Sequence, residues 1–298
     1  MSAVDVVIPT RDRPELVPGA IRSVLAQTHA DVRLWVVDAG SDPPLRLSLD
    51  AASDERVELV RSDRPLSAGR ARNLGLERGT APVAAFLDDD DRWRPQKLAR
   101  ELALLERLPD TVALVASGAE LHHARGGSTV EIPDPGPDPR MTILEHPVFW
   151  PSSTIVRRSA LESVGLFPTY SDRTEDWALW LALVERFEVA VLPEPLTVRA
   201  DSETAPERLL RGLEGYHGRV RERVDGLPPR PRRRVLARQE FDRAVQVARM
   251  GRRGRAARML VRSLALDPRA RLPAFHLLRI ATGERLWGFV ADYTRSRR

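Results

Sequence analysis

The first 120 residues alternate between two spacings of apolar positions. Residues 4–8, 32–37, 57–60, 83–87 and 112–115 are short runs rich in β-branched side chains, which predict buried strands. Between them the apolar residues recur at helical spacing. Leu16, Ala20, Ile21, Val24 and Leu25 follow Pro14, and Leu98, Leu102 and Leu105 follow Pro95. Residues 67–78 carry Ala68, Ala71 and Leu74 on one side and end near Gly79. A β-α-β-α order of this kind predicts an α/β fold, Rossmann-like, with a mostly parallel central sheet and flanking helices on both faces.

The pattern then changes. Residues 126–139, rich in Gly, Pro and Asp, predict a long surface loop. Residues 154–156 and 189–192 predict strands on either side of a helix over 174–187. From about Pro206 the chain is Arg-rich with helical periodicity, and residues 227–234 (Leu-Pro-Pro-Arg-Pro-Arg-Arg-Arg) predict a break in it. Ala256, Leu260, Leu264 and Leu266 predict one more amphipathic helix before Pro268. A soft boundary at residues 200–205 divides the chain into a domain over 1–203 and an Arg-rich α-helical C-terminal region over 204–298.

Composition narrows the chemistry. With no cysteine, disulfides, thiolate metal sites and Cys nucleophiles are excluded. No apolar run is long enough to cross a bilayer, and residues 1–10 run straight into a strand without the basic start and apolar middle of a signal peptide. A cytoplasmic location is expected, with a peripheral place at the inner face of the membrane as its extension. The net charge is +5, nearly all the cations are Arg, and Lys97 is the single lysine. A genomic preference for Arg codons accounts for the missing lysines but not for the clustering after Arg208. The C-terminal region is therefore expected to make a peripheral contact with an anionic membrane or a homodimer contact, Leu286, Trp287 and Phe289 supplying apolar positions among the arginines. Nucleic acid is not an expected partner, because no recognition motif accompanies the charge.

In an open parallel sheet, ligands bind beyond the carboxyl ends of the strands. Pro9-Thr10-Arg11-Asp12 follows the first strand, Asp38-Ala39-Gly40-Ser41-Asp42 the second, and Asp88-Asp89-Asp90-Asp91 the strand ending at Leu87. These three ends should converge on one rim. In extended backbone Asp88 and Asp90 point the same way. Two carboxylates there suit a hard divalent cation, Mn²⁺ or Mg²⁺, that clamps a diphosphate. A single Asp would need no more reason than an acidic turn before the helix at Pro95. Four adjacent carboxylates repel one another, and that cost favours the cation. Thr174-Glu175-Asp176-Trp177 offers a carboxylate base, although acids in a first helical turn also suit the helix dipole. Trp177 and Trp180 stand at helical spacing as core candidates. Ser67-Ala68-Gly69-Arg70-Ala71-Arg72-Asn73 is a helix start whose Arg72 suits phosphate, or an ordinary surface helix with exposed arginines.

As an ordered set these segments resemble the family 2 glycosyltransferases of the GT-A fold. The matching stretches are Val6-Val7-Ile8-Pro9-Thr10-Arg11-Asp12-Arg13, Ser23-Val24-Leu25-Ala26-Gln27-Thr28 and Val36-Val37-Asp38-Ala39-Gly40-Ser41-Asp42. Further along come Ala71-Arg72-Asn73-Leu74-Gly75, Phe86-Leu87-Asp88-Asp89-Asp90-Asp91-Arg92-Trp93, Arg157-Arg158-Ser159-Ala160-Leu161 and Glu175-Asp176-Trp177-Ala178-Leu179-Trp180-Leu181. The resemblance covers about the first 200 residues. It implies an inverting, metal-dependent transfer of one sugar from a nucleotide diphosphate-sugar to an acceptor hydroxyl of a glycan, lipid-linked glycan or natural product. Asp38 would sit by the nucleotide base, with Pro9 and Thr10 lining the same pocket and Arg11 and Arg72 completing the donor site. Asp88 and Asp90 would form the Asp-x-Asp pair that meets ribose and metal-diphosphate, with Asp89 beside them, and Asp176 would be the catalytic base. Ala39 stands where the family often has a second Asp, so the base is not fixed as uracil. The absence of a Gln-x-x-Arg-Trp signature favours single additions over processive synthesis. Two rivals keep the acidic rim: a nucleotidyltransferase, which would need glycines after the first strand, and a non-catalytic scaffold of the same fold. The acceptor is expected to be selected by residues 126–140 and 146–153.

Overall fold

Val4, Val6 and Ile8 face one way along the first strand, β1 (Val4–Thr10), and Asp5 and Val7 face the other, so both faces of the sheet must be covered. The structure, a computed structural model, describes residues 2–123, 126–170, 174–200, 205–270 and 273–277. The chain divides into two compact units, Met1–Ile143 with Pro147–Glu203, and Leu144–His146 with Thr204–Arg298.

The first unit follows the predicted alternation. After β1 come α1 (Val17–Leu25), β2 (Val32–Asp38), α2 (Leu49–Ser53), β3 (Val57–Arg61), α3 (Ala68–Leu76), β4 (Val83–Phe86), the short β5 (Arg92–Trp93) and α4 (Lys97–Leu105). Then follow β6 (Val112–His122), β7 (Ser128–Glu131), α5 (Pro139–Glu145), a 3₁₀ turn over Pro151–Ser153, β8 (Thr154–Arg157), α6 (Arg158–Val164), α7 (Glu175–Val184) and β9 (Glu188–Ala200). The nine strands form one sheet in the order β3-β2-β1-β4-β8-β6-β9-β5, with β7 beside β6. β3, β2, β1 and β4 are mutually parallel, and β6 and β9 run with them; β8, β7 and β5 run against their neighbours.

One face buries Val4, Val6 and Ile8 with Val32, Leu34 and Val36 of β2 against Ala20, Ile21 and Val24 of α1 and Leu98, Leu102 and Leu105 of α4. The other face receives α3 and α6. Gly75 of α3 lies so close to β1 that a Cβ would stand 2.5 Å from Val7 Cγ1, and Asp5 holds Arg158 of α6 at 2.6 Å. The Ser-Val-Leu-Ala-Gln-Thr stretch now has a physical reason. Gln27 is buried, donates to the Arg94 carbonyl at 2.9 Å and accepts the Leu98 amide at 3.0 Å, which satisfies an otherwise unpaired amide in the first turn of α4. Lys97 is wholly buried in that turn. Its Nζ donates to Glu101 at 2.6 Å and stands 4.4 Å from the Trp93 ring centroid. Burial lowers the pKa of Lys97 and raises that of Glu101, against their mutual attraction.

Three expectations need correction. The loop expected over 126–139 contains β7, paired antiparallel with β6. Gly126 and Gly127, both at positive φ, allow the tight reversal, and the polar, alternating Ser128-Thr129-Val130-Glu131 suits a strand with exposed positions. The strand expected over 189–192 runs on to Ala200. Pro193 and Pro195 interrupt its pattern, but the β6–β9 register shifts beside Pro195, where a missing ladder donor is tolerated. The break expected over 227–234 is mostly helix.

The second unit contains α8 (Pro206–Arg219), α9 (Arg221–Asp225), α10 (Pro229–Arg249) and α11 (Arg253–Leu266). Pro229 and Pro231 fall in the first turn of α10, where amides have no intrahelical acceptor to lose. Val247 and Ala256 pack with Leu210, and Phe241 and Ala244 with Leu260. Ser263 of α11 donates to the Ala237 carbonyl at 2.7 Å. Leu144 and Glu145 belong here, the first accepting from Gln239 and the second from Arg234. Among the described residues no helix is long and apolar enough to cross a membrane. Leu286, Trp287 and Phe289 lie outside the described residues.

Candidate active site

The strand register sets the rim. Thr10 stands opposite Asp38 across β1 and β2, and the Leu87 amide donates to the Val7 carbonyl across to β4. The polar ends of three parallel strands therefore converge, as their sequence positions predict.

Asp38 lies deepest. It has no exposed surface, and its two carboxylate oxygens accept the amides of Ser41 at 2.9 Å and Leu45 at 3.0 Å, with Arg61 3.8 Å away. Burial opposes its charge, but these donors outweigh burial and hold it below the usual carboxylate range. Asp38 thus folds the 38–45 loop onto itself. Asp12 ties that loop to the first, its amide donating to Ser41 Oγ and its carboxylate accepting the Asp42 amide. Arg11 is half exposed and pairs with Asp12 at 3.3 Å. Pro9 is partly buried beside Thr10.

The aspartate run is a turn. The Asp91 amide donates to the Asp88 carbonyl at 3.1 Å, so the pleat does not continue through it and the four side chains fan apart. The strictly alternating geometry expected for Asp88 and Asp90 gives way to this turn. Asp88 receives Arg72 at 2.7 Å and is 38% exposed; Asp90 receives Arg13 at 3.1 Å and is 29% exposed. Asp89 is buried between Thr10 Oγ1 at 2.7 Å and Arg13 at 2.9 Å. Burial raises its pKa although both partners oppose the rise. Asp91 is buried too. Burial and the Asp88 charge push its pKa up to about 7, against Arg199 at 3.8 Å and a hydrogen bond with Ser152.

Arg72 links this turn to α7. It is not the exposed arginine of a surface helix; that role falls to Arg70, paired with Glu77. Arg72 is 5% exposed and bridges Asp88 and Glu175, the latter at 2.9 Å. The junction is tight: a Cβ on Gly69 would stand 2.2 Å from the Pro168 carbonyl oxygen and 3.1 Å from Glu175 Cγ. Asp176 is partly buried beside the pair. Burial, then the Glu175 charge, push its pKa up to about 8, and Arg72 only partly offsets them. Trp180 is core and Trp177 is half buried.

Arg13, Glu175, Arg199 and Ser152 are among the residues of this arrangement that the sequence does not single out. Arg13 and Glu175 stand inside quoted motifs, and the acids that neighbour them were the available signal. Arg199 is the next-to-last residue of β9, so the strand-end rule reaches it once that strand is read to its full length. Ser152 falls within the 146–153 stretch expected to select the acceptor, and nothing in that stretch points to the aspartate turn it supports. It is wholly buried, its Oγ accepts the Asp88 amide at 3.1 Å and bonds Asp91, and its carbonyl accepts Trp93 Nε1 at 2.7 Å and Thr197 Oγ1 at 3.0 Å.

Among the described residues no three His, Cys, Asp or Glu side chains are grouped to hold a metal ion by themselves. The donor set still fits a hard divalent cation that a diphosphate helps to hold. Asp88 and Asp90 are partly exposed hard-oxygen donors, and Mg²⁺-type sites commonly take one or two carboxylates, with phosphate and water oxygens completing the shell.

Comparison with known proteins agrees with this architecture. A glucosyltransferase from Escherichia coli, "UDP-Glc:alpha-D-GlcNAc-diphosphoundecaprenol beta-1,3-glucosyltransferase WfgD", is 31% identical over 102 residues, 34% of this chain and 40% of that protein. The "Putative teichuronic acid biosynthesis glycosyltransferase TuaG" of Bacillus subtilis is 33% identical over 104 residues, 34% of this chain and 41% of its own length. The chain thus spans about two fifths of these curated relatives. Among solved structures, Staphylococcus aureus TarS 1-349 in complex with UDP-GlcNAc aligns with a TM-score of 0.61 at 15% identity, over 80% of this chain and 72% of that one. The mannosyltransferase PcManGT of Pyrobaculum calidifontis, in complex with GDP-Man and Mn²⁺, aligns with a TM-score of 0.57 at 17% identity, over 96% and 88%. The shared fold is GT-A. The model of "Glycosyl transferase family 2" matches residues 5–165, more than half of the sequence, and the chain belongs to that family.

Proposed function

We propose that the first unit transfers a single sugar, with inversion, from a nucleoside diphosphate-sugar to a hydroxyl of a glycan or lipid-linked sugar. The observation that carries the reading is the Asp88–Arg72–Glu175 bridge with Asp176 beside it. It joins the end of β4, where a diphosphate would lie, to a carboxylate of raised pKa that suits a general base. Asp176 takes the proton of the acceptor hydroxyl, the hydroxyl oxygen bonds to the anomeric carbon, and the bond to the diphosphate breaks with its electron pair leaving on phosphate. Arg72 orients Asp88 and ties it to Glu175. Thr10 and Arg13 fix Asp89, and the 38–45 loop folded around Asp38 frames the nucleoside pocket with Pro9 and Arg11. Asp88 and Asp90 would hold a divalent cation, Mn²⁺ or Mg²⁺, which neutralises charge on the departing diphosphate. The UDP-GlcNAc bound by TarS, the GDP-Man and Mn²⁺ bound by PcManGT, and the diphosphoundecaprenol-linked sugar for which the E. coli relative is named support this reading.

Calorimetric titration with nucleoside diphosphates, with and without Mn²⁺, tests it. The expected result is Mn²⁺-dependent binding of one nucleotide that Asp90→Ala removes. No binding of any nucleotide in either condition would overturn the reading.

A further inference from the structure

The helical unit carries charge that the transfer site does not use. From Arg243 to Leu266 the sequence has seven arginines and no aspartate or glutamate. A preference for Arg over Lys decides which cation is used. It does not remove the acids between the cations.

Within this stretch α11 is two-sided. Ala256, Leu260 and Ser263 are buried toward α10. Arg255, Arg258, Val261 and Arg262 are exposed, and their spacing places them on one stripe about 120° wide. Val261 is 56% exposed and Arg262 78%, with its only acidic neighbour among the described residues, Glu240, at 3.9 Å. Arg255 and Arg258 have no acidic partner among the described residues. The arginines of α10 differ: Arg238 is matched with Asp242 and Arg243 with Glu240. The basic group also starts at the wrong end of α11 for the helix itself. Arg252, Arg253 and Arg255 crowd an N-terminus with no acid in its first turn and no side-chain cap, where the helix dipole disfavours cations. An anionic surface would relieve that repulsion.

We propose that the outward stripe of α11, Arg255, Arg258, Val261 and Arg262, docks the protein on an anionic lipid bilayer. Three guanidinium groups on one side of a helix meet a plane of headgroup phosphates, and Val261 reaches between headgroups. No aromatic side chain on the stripe offers a stacking platform for bases, so the surface suits lipid over single-stranded nucleic acid. The inference does not depend on the sugar-transfer reading, because binding is measured without donor or acceptor.

The test is co-sedimentation of the full chain with phosphatidylglycerol/phosphatidylcholine vesicles and with pure phosphatidylcholine vesicles, at low and high salt. Binding is expected to the anionic vesicles only and to fall as salt rises. The triple variant Arg255→Gln/Arg258→Gln/Arg262→Gln, with an unchanged circular dichroism spectrum, should lose on the order of a hundredfold in partitioning. A control variant, Arg230→Gln/Arg233→Gln, exposed on α10, should bind much as the parent does. Failure to bind anionic vesicles, equal loss in both variants, or tighter binding of a single-stranded RNA 20-mer through the same three arginines would overturn the proposal.

Discussion

The two units use arginine in opposite ways. At the rim of the sheet, Arg72 is nearly inaccessible and bridges two carboxylates on different elements, and Arg13 joins Asp89 to Asp90. On α11 the exposed arginines have at most a distant acid among the described residues. A buried cation is costly to desolvate and so is kept where several partners repay it. An exposed cation costs little and contributes little to the fold, so it is free to serve an external partner. The same residue type therefore organises a site in one unit and presents a charged surface in the other.

The sharpest contrast should come from chemistry. Asp176→Asn should lower kcat by about 10²- to 10⁴-fold with donor KM nearly unchanged, as loss of a general base does; an unchanged kcat in steady-state assays would remove Asp176 from that role. Arg72→Ala would leave Glu175 buried and uncompensated. Denaturant unfolding should show a loss of about 3–5 kcal/mol, whereas Arg255→Gln on α11 should stay within about 0.5 kcal/mol. Equal effects would erase the distinction between the units. The pH dependence sharpens it further. The Asp176 carboxyl, raised to about 8, is mostly protonated at neutral pH in the free enzyme and gains basic form as pH rises. The profile of kcat/KM should therefore climb about tenfold per pH unit below pH 7 and level off near 8, and Asp176→Asn should flatten that limb. Ser152→Ala is the smallest rim effect. It removes the acceptor of the Asp88 amide and a partner of Asp91, and should cost about 1–2 kcal/mol in stability with a few-fold rise in metal requirement, read by Mn²⁺ titration of activity.

Much of the frame was legible because it depends on local period. The register that sets Thr10 beside Asp38 follows from two buried runs of like length, and the glycine and cap pattern of residues 67–79 located α3. What escaped depends on distant contacts. The bend at Asp88–Asp91 replaces the pleat with a turn held by Ser152, 64 residues away. The burial of Arg72 follows from the approach of α7, which no pattern within residues 67–78 encodes. The second half of β9 was hidden by Pro193 and Pro195, whose cost to a strand disappears where the register slips. In the helical unit, prolines read as a break were the start of α10, because their sequence is the same in either role and only their position in the turn differs.

The burial of Lys97 makes the protein its own reporter of motion. With a single lysine in the chain and that one sealed between Glu101 and the Trp93 ring, an amine-selective reagent can reach a side chain only while α4 is lifted from the sheet. The rate at which Lys97 takes up such a label under native conditions counts those openings directly.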